Sequence, residues 1–389
     1  GGQNGAVIKV NTNSGSEGLI KNLTIRNGSG DEATGGGLKL GATKYTLDSV
    51  NIHSNSVLAD GGAIWFNGDS LFIQNSHIYD NTSTYKGGGI FAYQASAITI
   101  ENSNISNNKT TNPAGQGGAI FLPANAQSLT IKNSNLENNL SWEGAAVYVD
   151  GSDVFFEGVR VLENSGTHGT VTINNPGGTK NASFINNLFY KNSTENNGSA
   201  ITYIGDVSIM NSAFVDNNYS EYPVSNLLSK PSSSNAIITN TFFDGNDWDI
   251  ALYTLGAGSH LLALSNSYLS NGVAAIKGDT DNADVQQYLT TSNMITPVQK
   301  AIINRSNKSI SLRNSSPLIG AGVRTVTVNS DVYTAPNIDL LGNARPSPSG
   351  SKVDVGPVEH FLASPGPASG PVFDGLVSDT VEIDFSNSS

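Results

Sequence analysis

Apolar residues return along this chain at intervals of 25 to 31 residues, each within a short run that alternates apolar and polar positions. Alternation with a period of two predicts β-strands, and a repeat of this length predicts a solenoid with one coil per repeat. One coil cannot bury its apolar side alone, so neighbouring coils must stack and pair in parallel. The apolar anchors of the repeats are Leu47, Ile73, Ile100, Ile131, Phe156, Phe184, Ile209, Ile238 and Leu264.

Two rows of Asn accompany the anchors. Asn tolerates left-handed backbone angles, and its side chain can bond the backbone of an adjacent coil, so both rows are predicted to be structural ladders at bends. The first row follows the anchor by two residues, with exceptions at Ser49 and Gly158, and contains Asn75, Asn102, Asn133, Asn186, Asn211, Asn240 and Asn266. The second follows by eight residues, fails at Gly272, and contains Asn55, Asn81, Asn108, Asn139, Asn164, Asn192, Asn217 and Asn246.

Residues 61–81 show the content of one coil, which is predicted to hold three short strands separated by bends. Paired glycines open the coil and supply unusual backbone angles where the chain enters its next strand. Positions that stay aliphatic from coil to coil should face inward. The predicted inward rows are Ile64, Ile90, Ile120, Val147, Val171 and Ile201, and Ile78, Ile105, Leu136, Val161, Phe189 and Phe214.

Two of these motifs carry a family resemblance. Gly61-Gly62-Ala63-Ile64 and Phe214-Val215-Asp216-Asn217 resemble the GGAI and FxxN repeats of polymorphic outer-membrane proteins. The wider pattern, over residues 1–278, resembles the pectin-lyase-like right-handed parallel β-helix, which implies an all-β solenoid of about ten coils. Polysaccharide lyases, glycosidases, phage tailspikes and surface adhesins share that fold, so the resemblance indicates architecture without fixing an activity.

The C-terminal part has a resemblance of its own. Residues 316–322, 339–345 and 354–359 resemble the choice-of-anchor Q region of bacterial secreted β-helix proteins, although Val358 replaces that family's usual aromatic residue. Residues 279–362 are therefore predicted to form the last coils and a cap, because a solenoid must cover its final open coil. The charges expected to pair around that end are Asp339, Arg345, Asp354 and Glu359.

Beyond the cap, residues 363–389 begin with a Pro- and Gly-rich stretch that predicts a linker and the start of another module. The chain opens within a repeat, without a start Met or signal peptide, which favours a segment of a larger protein. It lacks any run of 18 apolar residues, so no membrane span is expected.

Composition narrows the class of protein. Only 13% of the 389 residues are charged and 42 are Gly, a mixture suited to turns and short strands. The absence of Cys excludes disulfides and thiolate metal sites and suits an extracellular or bacterial cell-surface location. A net charge of -12 argues against a nucleic-acid partner, since phosphate binding needs a basic face.

The first candidate site is a row of aromatic residues directly after the inward aliphatic positions. If the aliphatic residue faces the core, the next residue faces outward, and on four coils it is Trp65, Phe91, Phe121 and Tyr148. A flat aromatic strip would bind sugar rings or the apolar surface of a partner. The alternatives are that connecting loops cover the strip as a second core, or that a one-residue register error buries it.

A polar row borders this strip, four residues before each inward aliphatic position. It contains Asp60, Lys86, Gln116, Glu143, Thr167 and Asn197, with His168 one residue further on. Asp60 and Lys86, on adjacent coils, are expected to form an ion pair. If the protein is an enzyme, the candidate catalytic residues are Lys86, Glu143 and His168, as in lyases with a basic proton acceptor or glycosidases with carboxylates. The alternative is a rim of charges that serves solubility and coil pairing.

No cofactor or His-based metal site is predicted, because the His residues lack ligand spacing. Calcium held by the acidic run at 279–284 is one candidate, and an acidic turn without metal is the alternative.

Three functional hypotheses remain. The favoured one is a non-catalytic segment of a larger bacterial surface or secreted protein that binds a polysaccharide, a cell-surface glycan or another surface protein. The second is a polysaccharide lyase or glycoside hydrolase that uses the same face. The third is a structural stalk or filament subunit, and the oligomeric state is left open.

Overall fold

The protein is a stack of coils built from parallel strands. The computed structural model describes residues 5–10, 17–30, 34–41, 44–93, 96–124, 126–175, 180–196, 198–217, 224–227, 234–246, 248–253, 260–278, 287–298, 302–306, 308–328 and 331–366. The acidic run at 279–284, Asn197 and most of the predicted linker lie outside the described residues. Within the described part there is no α-helix, and the single helical turn is the 3-10 turn Val273–Ala275.

Four parallel sheets build the stack, and three of them continue into its last described coils. Sheet 1 holds the strands Ile8–Val10, Leu38–Gly41, Ile64–Asn67, Ile90–Ala92, Ile120–Leu122, Val147–Asp150, Val171–Asn174, Ile201–Ile204, Val224–Leu227, Ile250–Tyr253 and Lys277–Gly278. Sheet 2 holds Glu17–Lys21, Lys44–Asp48, Ser70–Gln74, Ala97–Glu101, Ser128–Lys132, Asp153–Glu157, Asn181–Ile185, Asp206–Met210, Ser234–Thr239, His260–Ser265 and Leu289–Ser292.

Sheet 3 supplies the third strand of a coil, and sheet 4 adds a short fourth strand to seven coils. Sheet 3 holds Thr24–Arg26, Asn51–His53, His77–Tyr79, Asn104–Ser106, Asn135–Glu137, Arg160–Leu162, Leu188–Tyr190, Ala213–Val215, Phe242–Asp244 and Tyr268–Leu269. Sheet 4 holds Ser29–Gly30, Ser56–Val57, Thr82–Ser83, Lys109–Thr110, Leu140–Glu143, Ser165–His168 and Ser193–Asn196. The sequence predicted three strands per coil, so the short fourth strand is an addition.

In-register pairing stacks like residues in the core. Ile73 pairs with Leu47 on one side and Ile100 on the other, and all three are fully buried. The inward rows predicted from Ile64 and from Ile78 are buried along their length. Burial of such side chains stabilises each by roughly 1.5–3 kcal/mol, which no isolated coil could obtain. The predicted parallel β-solenoid is therefore confirmed.

The glycines that open each coil occupy left-handed backbone angles. Gly61 has a φ of 72°, and a Cβ placed on it would lie 2.5 Å from the carbonyl oxygen of Ile64. Any side chain would collide with that backbone, so the bend at the entry to sheet 1 requires glycine. The same left-handed angle recurs at Gly35, Gly87, Gly117 and Gly144.

The first Asn row supplies left-handed backbone angles between sheets 2 and 3. Its φ values range from 46° to 62° for Asn75, Asn102, Asn133, Asn186, Asn211, Asn240 and Asn266. The exceptions fit the same requirement, because Ser49 has a φ of 57° and Gly158 a φ of 66°. This row is thus set by backbone conformation, for which Asn carries little penalty.

The second Asn row forms a continuous buried ladder of side-chain hydrogen bonds. Asn139 is typical: its Nδ2 donates to the Ile105 carbonyl at 2.9 Å and to Asn164 Oδ1 at 3.0 Å. Its Oδ1 accepts from the backbone N–H of Asn108 at 3.0 Å and from Asn108 Nδ2 at 3.2 Å. Every polar atom of the amide is satisfied, so the ladder closes a bend that water does not reach. Its members are Asn55, Asn81, Asn108, Asn139, Asn164, Asn192, Asn217 and Asn246.

A third ladder was not predicted. The hydroxyl of Ser76 accepts the backbone N–H of Val50, and the hydroxyl of Ser103 accepts that of Ser76, each at 3.1 Å. The row continues through Ser134 and, in later coils, through Asn187, Ser212, Thr241 and Ser267. The residue at this position is Ser, Asn or Thr, so the row does not appear in the sequence as one repeated residue type.

The C-terminal part packs along the outer side of sheet 3. Two antiparallel hairpins pair Ile303–Ser306 with Ser309–Leu312 and Thr325–Val328 with Asp331–Thr334. Arg305 bridges Asp216 at 2.9 Å and Asp244 at 2.7 Å. The apolar contact joins Leu162, Leu188, Tyr190, Ala213, Val215, Phe242 and Tyr268 of the coils to Ile302, Ile303, Ile310, Leu312, Leu318, Ile319, Val355 and Val358.

The predicted charge cluster lies in this part of the chain. Arg345 Nε is 3.0 Å from Glu359 Oε1, with both side chains fully buried, and its Nη2 donates to Asn186 Oδ1 at 3.2 Å. Asp354 accepts the backbone N–H groups of Gly320 and His360. The contact with Asn186 places the cluster on the flank of the stack, several coils before its last one. A cap over the open end, and the domain boundary at 278, stay predictions.

We expect Asn139→Ala to lower the free energy of unfolding by about 3 kcal/mol, because it leaves buried donors and an acceptor on neighbouring coils unsatisfied. Urea unfolding followed by circular dichroism measures this loss. Asn135→Ala, a change of the same size on the partly exposed side of sheet 3, is the control and should cost less than about 1 kcal/mol. Equal losses in the two variants would contradict a special role for the ladder.

Asp249 ends the ladder with a buried carboxylate. It is 2% exposed, and it accepts the backbone N–H of Asn271 at 3.0 Å and Asn246 Nδ2 at 3.5 Å. Burial raises the pKa of Asp249 from 3.8 to about 7, against the opposing effect of these hydrogen bonds. Between these two pH values the folded protein holds a proton that the unfolded chain has released.

The contribution of Asp249 to the free energy of unfolding should therefore fall as pH rises from about 4 to 7. Asp249→Asn keeps a neutral amide at this position and removes that dependence. We expect the stability of the variant relative to the original protein to increase across this interval and to level off above it. Thermal unfolding at a series of pH values measures the difference, and a constant difference would show that Asp249 does not titrate there.

Candidate functional site: a groove beside the aromatic row

The aromatic row occupies consecutive strands of sheet 1. Strand pairing places Trp65 opposite Phe91, Phe91 opposite Phe121, and Phe121 opposite Tyr148. Lys39 and Thr172 occupy the equivalent positions on the coils before and after. The four rings form a cluster separate from the main core, so they lie outside the inward rows, as the sequence indicated.

The expectation of an open aromatic strip is wrong for three of the four residues. Phe91 is 5%, Phe121 3% and Tyr148 8% exposed, while Trp65 is partly buried. The cause is the pairing itself, since in-register strands bring equivalent rings close enough to stack. The Phe121 centroid lies 5.5 Å from that of Phe91 and 5.4 Å from that of Tyr148, with nearly parallel planes.

Stacking decides what the row can bind. Neighbouring rings flank Phe121 on both sides and the Lys86 ammonium lies 4.4 Å from its centroid, so no sugar ring can stack on Phe121. At the Trp65 end, the indole stacks on Tyr93 at 5.8 Å and carries the Lys39 ammonium 5.1 Å from its centroid. The row is thus a small second core on the outside of sheet 1, and only ring edges face the surroundings.

The polar row follows the same pairing, with a one-residue shift on its last two coils. Lys86 pairs with Gln116, Gln116 with Glu143, and Glu143 with His168. The sequence placed Thr167 and Asn197 in this row, but the structure places His168 there and pairs it with Asn196. The reason is spacing: left-handed Gly169 lies two residues before Val171, whereas Gly144 lies three before its own inward Val147.

Lys86 does not form the predicted ion pair with Asp60. Its ammonium lies over the ring of Phe121, 4.4 Å from the centroid, and no salt bridge joins it to Asp60 in the described structure. Burial raises the pKa of the Asp60 carboxyl, and the charge and backbone N–H of Lys86 oppose that rise. The cation therefore affects Asp60 through space while contacting an aromatic ring.

The candidate catalytic residues lie along one row, with Glu143 and His168 on adjacent coils and Lys86 two coils before Glu143. Glu143 Oε2 accepts a hydrogen bond from Gln116 Nε2 at 2.9 Å, and His168 packs edge-on against Trp142 at 4.5 Å. The strands that carry Lys86 and His168 are three coils apart along the row, on the order of 14 Å between backbones by strand spacing. The catalytic assignments of Lys86, Glu143 and His168 stay predictions without a shared centre.

A groove of about 450 Å³ opens between the polar row and the aromatic row. Two exposed rings stand on it, with Tyr85 49% and Tyr93 45% accessible. Neither was predicted as a site residue. Tyr93 had a detectable signal, because it follows Phe91 by two residues and so lies on the same side of the sheet. Tyr85 directly precedes Lys86, at a position where the residue type changes from coil to coil. The lining residues are Asp60, Tyr85, Lys86, Phe91, Tyr93, Phe121 and Pro123.

Carboxylates border the groove on the later coils. Asp150 accepts a hydrogen bond from Asn174 Nδ2 at 3.0 Å, and burial raises the pKa of Asp150 while the Lys86 charge opposes the rise. Burial, followed by the charges of Glu143 and Asp150, raises the pKa of Tyr148 far above its ordinary value. The phenol of Tyr148 therefore stays protonated and cannot act as a base near neutral pH.

The described residues contain no group of three or more His, Asp or Glu side chains placed to hold a metal ion. They also contain no helix long and apolar enough to cross a membrane. The acidic run at 279–284, the one candidate for calcium, lies outside the described residues.

Comparison with known proteins supports the fold. Residues 2–140 match the family model for the right handed beta helix region. No curated protein and no solved structure matches the chain. The match and the parallel stack of coils together support a right-handed parallel β-helix, a fold found often in surface proteins and glycan-active enzymes. The resemblances to polymorphic outer-membrane protein repeats and to the choice-of-anchor Q region stay predictions.

We expect Phe121→Ala to lower the free energy of unfolding by about 3–5 kcal/mol, as removal of a buried ring does elsewhere. Tyr93→Ala, at the exposed end of the cluster, should cost about 1 kcal/mol or less. Differential scanning calorimetry of the two variants tests the assignment of the aromatic row as core. A Phe121→Ala protein as stable as Tyr93→Ala would mean that the row is open in solution.

Proposed function

We propose that this protein binds a glycan chain in the groove, as a segment of a larger extracellular or cell-surface protein. The observation that carries the proposal is the pair of exposed rings, Tyr85 and Tyr93, on a groove that also contains Asp60 and Lys86. The predicted site thus moves from the buried aromatic row to the rim beside it.

The lining has the chemistry that sugar recognition needs. A sugar presents apolar C–H faces and a ring of hydroxyl groups, and tyrosine offers an apolar ring with a polar tip. Asp60 accepts hydrogen bonds and Lys86 donates them, so both can bond hydroxyl groups. The edges of Phe91 and Phe121, together with Pro123, form an apolar floor.

The groove is held in shape by the coil stack beneath it. Phe91 and Phe121 lie on paired strands, and the connection at Tyr85 is joined to the next coil by the Gln116 N–H at 2.9 Å from its carbonyl oxygen. The Tyr93 N–H donates to the Phe66 carbonyl at 2.7 Å. Because the backbone is fixed before binding, little conformational entropy is lost when a ligand enters.

Binding is favoured over catalysis because the candidate catalytic side chains are spread along the row. Glycosidase carboxylates lie within about 10 Å of each other across one bond. Asp60 and Glu143 are three coils apart, on the order of 14 Å. A lyase or hydrolase is therefore the second hypothesis, and a structural stalk is the third.

We expect Tyr85→Ala and Tyr93→Ala each to weaken glycan binding about tenfold, because an exposed aromatic anchor accounts for a large share of binding free energy. A glycan array identifies the ligand, and isothermal titration calorimetry measures the affinities. Tyr79→Ala, which removes a ring stacked on His53 of sheet 3, is the matched control and should leave binding unchanged.

Two results would count against the proposal. If the folded protein binds no glycan on the array, the groove is not a glycan site. If any polysaccharide yields new reducing ends or unsaturated products, and Lys86→Ala or Glu143→Gln abolishes them, the protein is an enzyme.

A further inference from the structure

An exposed apolar ridge lies beside the groove, directly before the polar row in the chain. The backbone N–H of Gln116 donates to the Tyr85 carbonyl at 2.9 Å, and that of Glu143 donates to the Gly115 carbonyl at 3.0 Å. This register places Tyr85, Gly115 and Trp142 at equivalent positions on three successive coils. Tyr85 is 49% and Trp142 37% exposed. Two accessible rings therefore stand two coils apart, on the order of 10 Å between backbones by strand spacing.

The coil between the two rings adds further apolar groups. Pro113 and Ala114 are exposed at the tip of a turn in which the N–H of Gly115 donates to the Asn112 carbonyl at 2.8 Å. The Asn112 N–H donates to the Thr84 carbonyl at 2.9 Å and so fixes the start of the turn against the preceding coil. The ridge therefore consists of Tyr85, Pro113, Ala114 and Trp142.

The polar row follows the ridge along the same coils. Lys86 begins it beside the groove, and Glu143 directly follows Trp142 in the chain. Gln116 lies between them, and its Nε2 donates to Glu143 Oε2 at 2.9 Å. His168, one coil further on, packs edge-on against Trp142 with ring centroids 4.5 Å apart. An apolar ridge with hydrogen-bonding groups along one side suits a sugar chain, whose ring faces are apolar and whose edges carry hydroxyl groups.

We propose that the glycan site extends from the groove along the ridge, and that Trp142 is its second aromatic anchor. This inference rests on the proposed glycan binding and adds the form of the ligand. The interval of two coils is about the length of a disaccharide, so a chain that occupies the groove and also reaches Trp142 has at least about four sugars. It must also be extended. Linear β-1,4-linked chains of glucose or N-acetylglucosamine meet both requirements, because their linkages hold successive sugars in one flat ribbon.

The first test is the dependence of affinity on chain length in the unaltered protein. Isothermal titration calorimetry compares the dimer, tetramer and hexamer of β-1,4-linked glucose and of β-1,4-linked N-acetylglucosamine. In at least one series the tetramer should bind about tenfold more tightly than the dimer, because its second half contacts Trp142 once its first half occupies the groove. A tetramer that binds no more tightly than the dimer in both series would overturn the inference.

Substitution of Trp142 tests its contact with the longer chains. Trp142→Ala should weaken tetramer binding about tenfold and leave dimer binding unchanged. Trp142→Leu keeps an apolar side chain for folding but no flat ring, and it should weaken tetramer binding nearly as much. Leu140→Ala is the matched control, because Leu140 is 46% exposed on the same strand and lies outside the ridge. It should leave both affinities unchanged, and circular dichroism checks the fold of each variant.

The outcomes separate this inference from the proposed function. Binding of other glycans on the array, with neither β-1,4-linked series bound, would overturn the extended site and leave glycan binding in the groove in place. Equal losses of tetramer affinity in Leu140→Ala and Trp142→Ala would assign the effect to exposed apolar surface in general and overturn Trp142 as an anchor. A folded protein that binds no glycan would overturn both proposals.

Discussion

Parallel, in-register pairing between coils is the interaction on which the rest of the structure depends. It satisfies backbone groups between neighbours and stacks equivalent side chains, so each position in a coil is repeated under nearly the same conditions. A buried amide at such a position needs hydrogen-bond partners on the adjacent coils, and a second amide there supplies both a donor and an acceptor. The ladder from Asn55 to Asn246 meets that condition, with donors and acceptors matched from one coil to the next.

The same constraint shapes the outer surface of sheet 1. Rings at equivalent positions stack on each other, which turns Phe91, Phe121 and Tyr148 into core. Exposed rings on such a scaffold come from positions where the residue type is not repeated on the adjacent coils. Tyr85 and Tyr93 are two such residues, and both line the groove beside the stacked rings.

The outward residues of sheet 3 determine where the C-terminal hairpins pack. On sheet 3 the outward position changes from Glu137 to Leu162 and then to Tyr190 and Val215 on successive coils. The C-terminal hairpins pack where this row becomes apolar, with ionic contacts such as Arg305 to Asp216 at the border.

The sequence alone determined the coil period, the inward rows and both Asn rows. A solenoid repeats one local environment, so equivalent positions carry the same residue types in successive repeats. It also placed Trp65, Phe91, Phe121 and Tyr148 in one row. Whether that row was open, which residue paired with Glu143, and where Arg345 packed were decided by the tertiary structure. These outcomes depend on distances between coils and on loop lengths, which cannot be read from the period of the sequence repeat. Tyr85 and Tyr93 lie at opposite ends of a strand of sheet 1 and belong to no repeated row, so only the folded chain shows that they line one groove.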